Sequence, residues 1–377
     1  MLSGGIPIGR VFGISLRLHW TWFFIFILVT WALVTSYFPT AYPEWTLSMK
    51  IAAGLITSFL FFASVLIHEL MHSVVAIHEG IQVHSITLFI LGGVSQMTSE
   101  PKKPGDEFRM AIAGPASSLV IGGVFAVIFL SVRGNFAPAA QFVAGISYWL
   151  GLINIMLGVF NLVPGFPLDG GRVLRSIIWW RSKNLTSATK IASNIGRAVG
   201  FLFIFGGIYL VFTGNWVNGV WFALIGWFLE NAAVGSYRQL VIQDILKGHL
   251  ASEIMSRDCM MIQPTMTIEK LVNEQILTSG RRCFPVASDG RVEGIMSLNN
   301  VRAIPRALWP TKLVRDAMTP LDKLKSVRPD EDLNEVLQVL AENDINQVPV
   351  VQDNNIVGMV ARDNIINFIS LTDELRK

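Results

Sequence analysis

The sequence predicts a polytopic α-helical membrane domain of about six spans followed by a soluble α/β domain. Two observations carry this. Hydrophobic residues make up 52% of the 377 residues and charged residues only 15%, against roughly a quarter charged in ordinary soluble domains. The imbalance is also uneven: long apolar runs crowd residues 1–235, and charge returns after about residue 236, as in IQDILKGHLASEIMSRD. The net charge of +3 gives no case for nucleic acid as a partner. Both cysteines, Cys259 and Cys283, fall in the soluble part, where a reducing compartment makes a disulfide unnecessary. The N-terminus does not read as a cleavable signal, because its first apolar run is too long for one.

A spanning helix needs about 20 mainly apolar residues. Runs at 16–38, 51–77, 109–132, 141–163 and 195–213 qualify, and a shorter sixth at 216–235 is rich in Trp and Phe. Lys and Arg in short loops set the orientation. Arg10 and Arg17 precede the first run, Lys102, Lys103 and Arg109 lie between the second and third, and Arg172, Arg175, Arg181, Lys183, Lys190 and Arg197 between the fourth and fifth. The alternate loops hold only Lys50 and Arg133. The basic loops therefore face the cytosol, which places both termini and the soluble part there, in a multi-pass protein of the cell membrane. Four or five spans with a re-entrant segment is the alternative.

The second run contains SVLIHELMHSVVAIHEG at 64–80. On a helix, residues four apart share a face, so His68 and His72 can present two imidazoles to one metal with Glu69 beside them. This is the H-E-x-x-H arrangement of two zinc ligands and a general base. Ionisable groups in a membrane helix are costly unless paired or ligated, which makes them functional by default. His78 with Glu79 reads as the end of the helix, His84 as a loop, His19 as interfacial and His249 as part of a linker. A catalytic zinc needs a third protein ligand and an open position. FNLVPGFPLDGGR, 160–172, supplies the best candidate. Pro164 and Pro167 cannot continue a helix, so the fourth run should unwind there with Asp169 on irregular backbone. Such backbone at membrane depth must be surrounded by protein or line a cavity. Both runs head inward, so the His pair and Asp169 reach a similar depth.

HELMH at 68–72 and NLVPGFPLDGG at 161–171, in this order, resemble the site-2 protease family of intramembrane zinc metalloproteases. The resemblance covers about residues 1–235. It implies that His68, His72 and Asp169 bind one zinc ion and that Glu69 activates water. It also implies that Asn161 assists by holding substrate or the oxyanion. LGGVSQM at 91–97 matches as a short β element to which substrate adds as a strand. AIAGPASS at 111–118 matches as the start of the third helix, with small residues that allow close packing. The implied reaction cuts a membrane-spanning or membrane-associated protein: zinc polarises the scissile carbonyl, and Glu69 moves a proton from water to the leaving amine. No PDZ-like insert separates the spans.

Residues 236–250 read as a linker, and 251–306 and 311–371 as two copies of a repeat about 64 residues apart. CFPVASDGRVEGIMSLNNV returns as QVPVVQDNNIVGMVARDNI, each unit giving strand–turn–strand and helix with DG and NN in the turns. The repeat resembles the cystathionine-β-synthase (CBS) domain pair, which implies an adenine nucleotide between the halves. That family's pattern ends in Gly, Ser or Thr, and a ribose-binding Asp. Here the copies read Gly294, Ser297, Asn300 and Gly358, Ala361, Asn364. Ser297 and Asn300 are thus the candidate nucleotide contacts, and a structural or homodimerising pair is the other reading. A regulatory CBS pair is expected to act on the protease. The competing assignments are a CBS-regulated membrane transporter or channel, which leaves the His–Asp pairing unexplained, and a non-catalytic member, which would have no need of Glu69.

Overall fold

The structure is a computed structural model that describes residues 5–90, 92–97, 99–257, 260–288, 291–320, 323–343, 345–353 and 355–375. It divides into two compact units, Met1–Gln239 and Leu240–Lys377.

The first unit opens with strands β1 (Ile6–Val11) and β2 (Ile14–Leu18). Six helices long and apolar enough to cross a membrane follow among the described residues: α1 (Trp20–Ala41), α2 (Leu47–His78), α3 (Pro104–Val132), α4 (Pro138–Asn161), α6 (Leu185–Phe212) and α7 (Trp216–Leu246). A shorter helix, α5 (Asp169–Ser182), lies between α4 and α6. Residues 16–18, expected in the first span, belong instead to β2. ISLRL alternates, with Ile14 and Leu16 buried and Ser15 and Arg17 less so, and that period of two belongs to a strand. The span begins after His19, whose ring accepts from the Thr21 N–H as its N-cap.

Strands β3 (Val83–Phe89) and β4 (Gly92–Met97) extend the hairpin into a sheet of order β1-β2-β3-β4. The β2–β3 pair is parallel and the others antiparallel. His84, expected in a loop, is an exposed residue of β3. LGGVSQM is strand as expected from Gly92 onward, whereas Leu91 lies outside the described residues. β4 forms an edge of the sheet. The third span begins earlier than AIAGPASS: Pro104 starts α3, with Asp106 and Glu107 in its first turn and Pro115 inside it. A first-turn Pro loses only an N–H that has no helical partner.

In the second unit, strands β5 (Cys283–Ser288) and β6 (Arg291–Ser297) form an antiparallel pair joined at its edge by β7 (Thr319–Pro320). Strands β8 (Gln347–Gln352) and β9 (Asn355–Ala361) repeat the pair. Parallel bridges Ile262–Val286 and Val327–Val350 stand in corresponding places. The first copy buries Ile268, Leu271, Phe284, Val286 and Met296 together, and the second buries Leu333, Val336, Leu340, Val348 and Val360. Residues 236–246, expected as linker, continue α7 as helix. Cys259, the DG turn at 289–290 and Asn354 of the NN turn lie outside the described residues.

Candidate metal centre

The HELMH segment sits well inside α2, four residues from one imidazole to the next, so both side chains leave the same face. Both are buried, at 5% exposure each. Asp169 arrives from a different element. α4 ends at Asn161, the chain turns irregularly through 162–168, and Asp169 is the first residue of α5. This corrects the expectation of irregular backbone at Asp169 itself; the unwound stretch is the one before it. The first turn of a helix suits a carboxylate, because unpaired N–H groups and the helix dipole favour negative charge there.

Glycines allow that turn to close. A side-chain carbon at Gly170 would strike the carbonyls of Leu162 and Val163, and one at Gly171 would strike the backbone of Gly165 and Phe166.

The three ligand atoms form a nearly regular triangle. His68 Nε2 and His72 Nε2 are 3.2 Å apart, and each is 3.2 Å from Asp169 Oδ2. They are the one group of three or more His, Cys, Asp or Glu side chains with metal-ligand spacing among the described residues. Two donors about 2.0 Å from a tetrahedral zinc lie about 3.3 Å from each other, so the triangle matches one face of such a polyhedron.

The outward ring atoms are also held. His72 Nδ1 donates to the Met110 carbonyl oxygen at 2.7 Å, and His68 Nδ1 lies 2.9 Å from Ser118 Oγ. A carbonyl can only accept, so the proton of neutral His72 is on Nδ1 and its Nε2 lone pair faces the triangle. Partners of this kind fix the tautomer and orientation of metal-bound imidazoles. Lone pairs converging at such spacing repel unless a cation or proton lies among them, and the donor set therefore fits zinc.

Both partners come from α3, where Met110, Gly114 and Ser118 recur every four residues on a buried stripe. Gly114 is the close-approach point. A methyl group there would stand 2.6 Å from His72 Cε1 and 2.7 Å from His68 Nε2. AIAGPASS, read from sequence as a packing segment, thus also shapes the site. The four-residue spacing of Met110, Gly114 and Ser118 was the available signal.

Glu69 stands beside the triangle, next to β4. The Ser95 hydroxyl donates to its Oε2 at 3.4 Å, and Ser73 Oγ lies 3.2 Å from Ser95 Oγ. Gly93 packs so closely on Glu69 that any side chain there would overlap its Cγ. Asn161 is the last residue of α4, at the entrance to the turn that delivers Asp169. His78 ends α2 as expected, and His249, between helices, lies 2.7 Å from Glu253.

In the second unit a cavity of about 510 Å³ is lined by residues of both repeats, among them Arg282, Arg302, Lys323, Lys325, Ser297 and Asn300. The last two are occupied with each other. Asn300 Oδ1 accepts from the Ser297 N–H at 2.9 Å, and Asn300 Nδ2 donates to Thr319 Oγ1 at 3.1 Å. Asn364 repeats this by accepting from the Ala361 N–H at 2.9 Å. At the position where the family pattern has an aspartate, this chain uses its asparagines as helix caps.

Comparison with known proteins gives the family. The model of peptidase family M50 matches residues 56–147 and 136–206, and that of the CBS domain matches 251–305 and 314–371. The chain is 34% identical over 343 residues to Rip3 of Mycobacterium tuberculosis, which bears the name of a zinc metalloprotease, covering 90% of this chain and 86% of that one. It is 30% identical over 345 residues to the zinc metalloprotease MJ0392 of Methanocaldococcus jannaschii, covering 91% and 90%. Among solved structures, the site-2 protease from Methanocaldococcus jannaschii matches at 30% identity over 62% of this chain and 96% of that one, with a TM-score of 0.42. The chain is a zinc metalloprotease of peptidase family M50, the site-2 protease family, carrying a pair of CBS domains.

Proposed function

We propose that the protein is an intramembrane endopeptidase that cuts a membrane-spanning or membrane-associated protein, with zinc held by His68, His72 and Asp169. The observation that carries this is the triangle of Nε2, Nε2 and Oδ2 atoms at 3.2 Å, with the Nδ1 proton of His72 accepted by Met110. A zinc ion bound there supplies Lewis acidity toward the scissile carbonyl and makes a coordinated water acidic near neutral pH. Glu69, adjacent in sequence to His68 and held toward β4 by Ser95, is the general base that takes the water proton and returns it to the leaving amine. The edge of β4 receives the substrate as an added strand, which exposes a carbonyl that a helix would keep hydrogen-bonded. Asn161, at the end of α4, assists by holding the substrate backbone or the oxyanion.

The loop charges support an orientation with both termini, the CBS pair and the basic loops in the cytosol. The CBS pair regulates the protease through a bound adenine nucleotide. Arg282, Arg302, Lys323 and Lys325 line the cavity and would hold its phosphates, while Asn300, bonded to the Ser297 N–H and to Thr319, would not be free to hold the ribose.

The test uses purified full-length protein in detergent. Zinc content near one per chain is expected in wild type and in Glu69→Gln, with cleavage lost in the latter. His72→Ala and Asp169→Asn should lose zinc; full zinc in both would overturn the ligand assignment. For regulation, cleavage of one substrate is compared between the full chain and a truncation after Gln239, with and without ATP or AMP. Identical rates in all four arms would reduce the CBS pair to a scaffold.

A further inference from the structure

We infer that Glu107 and Arg175 form a positioning device that sets Asp169 against the two histidines, an inference that rests on the zinc reading above. Glu107, on α3, is fully buried, and Arg175, on α5, is 5% exposed. Arg175 Nε donates to Glu107 Oε1 at 2.6 Å, and its Nη2 donates to the same oxygen. Nη1 reaches Glu100 Oε2 at 3.4 Å, and Arg172 Nε stands 4.0 Å from Glu107 Oε1. The guanidinium also lies 5.2 Å from the centre of the Phe166 ring. One side chain of α5 therefore grips α3 through Glu107, the segment before α3 through Glu100 and the turn that leads into Asp169 through Phe166.

A buried ion pair is a poor way to gain stability, because desolvation consumes most of the attraction. Its strength is registry, and here the registry connects metal ligands. Glu107 begins the same buried stripe of α3 that holds His72 through Met110 and His68 through Ser118. The histidines are thus referenced to α3 directly. Asp169 is referenced to it through Arg175, about 9 Å further along α5. A tilt of about 10° at Arg175 would move Asp169 by about 1.5 Å over that lever, whereas a metal site tolerates about 0.2 Å. Without the pair, α5 would still pack on α3, but the third ligand would sit loosely.

The experiment measures zinc affinity of the full-length protein by competition with a chromogenic chelator. It is run beside the visible spectrum of the cobalt-substituted protein and the melting temperature of the metal-free form. Glu107→Gln and Arg175→Lys should each weaken zinc by about 10–100-fold and alter the cobalt bands, while Glu107→Asp restores much of both. The metal-free melting temperature separates this from general destabilisation, which would lower it without touching affinity or spectrum. Wild-type affinity and spectrum in Glu107→Gln and Arg175→Lys, alongside a zinc-free His72→Ala, would overturn the positioning role alone. A zinc-free wild type would overturn both it and the metal reading beneath it.

Discussion

Gly114 and His72 approach each other so closely that no side chain fits between the α3 backbone and the Nε2 edge of the imidazole. The glycine is therefore part of the candidate metal site although it contributes no ligand atom to it. Gly114→Ala should displace both rings and lower zinc affinity at least tenfold, as loss of an orienting partner does. A chelator titration checks this. Unchanged affinity would mean that α2 and α3 separate at little cost.

Gly93 makes the corresponding contact with Glu69 from β4. Gly93→Ala should leave zinc content at the wild-type value and reduce cleavage by tenfold or more, because the added carbon takes the space of the Glu69 side chain. Zinc content and single-substrate rates on the same preparation decide it; loss of metal would show that β4 supports the ligands rather than the base.

Orientation is tested with single cysteines in a background lacking Cys259 and Cys283. Gly134→Cys, in the exposed loop between α3 and α4, should react with an impermeant thiol reagent in intact cells, and Lys103→Cys should be protected. The reverse pattern would invert the protein in the membrane.

Asp332 caps the helix Leu333–Glu342 of the second CBS repeat. Burial pushes its carboxyl up, but the N–H groups of Asn334 and Gly248, each 2.9 Å or less away, outweigh this and hold it below the ordinary range. A depressed folded-state value means that the stabilisation is complete above the unfolded pKa of about 3.9. It is lost as pH falls through the folded value. Asp332→Ala should destabilise the second repeat by about 1 kcal/mol at pH 7 and by less near pH 3. Hydrogen exchange of peptides from 347–361, corrected for intrinsic rates at each pH, reads this out. Equal destabilisation at both pH values would remove the charge from the account.

The three side chains that the structure brings together were legible in the sequence because their chemistry is local: imidazoles four apart in an apolar run, and a carboxylate framed by Pro and Gly. Their support was not. Met110 contributes a carbonyl, which leaves no trace in residue type, and Gly114 an absence, whose trace is only its four-residue spacing from Met110 and Ser118. Strand β2 was absorbed into the first apolar run because its leucines merge with the span that follows. The helix α5 was hidden behind Pro164 and Pro167, from which irregular backbone was expected through Asp169, whereas Gly170 and Gly171 lie in its first turn, packed against backbone. The end of α7 was masked by the return of charge at 236, which ends an apolar run without ending a helix.

Asp169 lies 97 residues along the chain from His72 and 101 from His68. During synthesis the histidines are therefore made long before the residue that completes their triangle. A nascent chain that has threaded only its first three spans holds two imidazoles and a glutamate but no third donor. The donor set proposed for zinc is complete only once the chain has been made through α4 and into α5, so the spacing of the donors sets a delay between the first part of the candidate centre and the last.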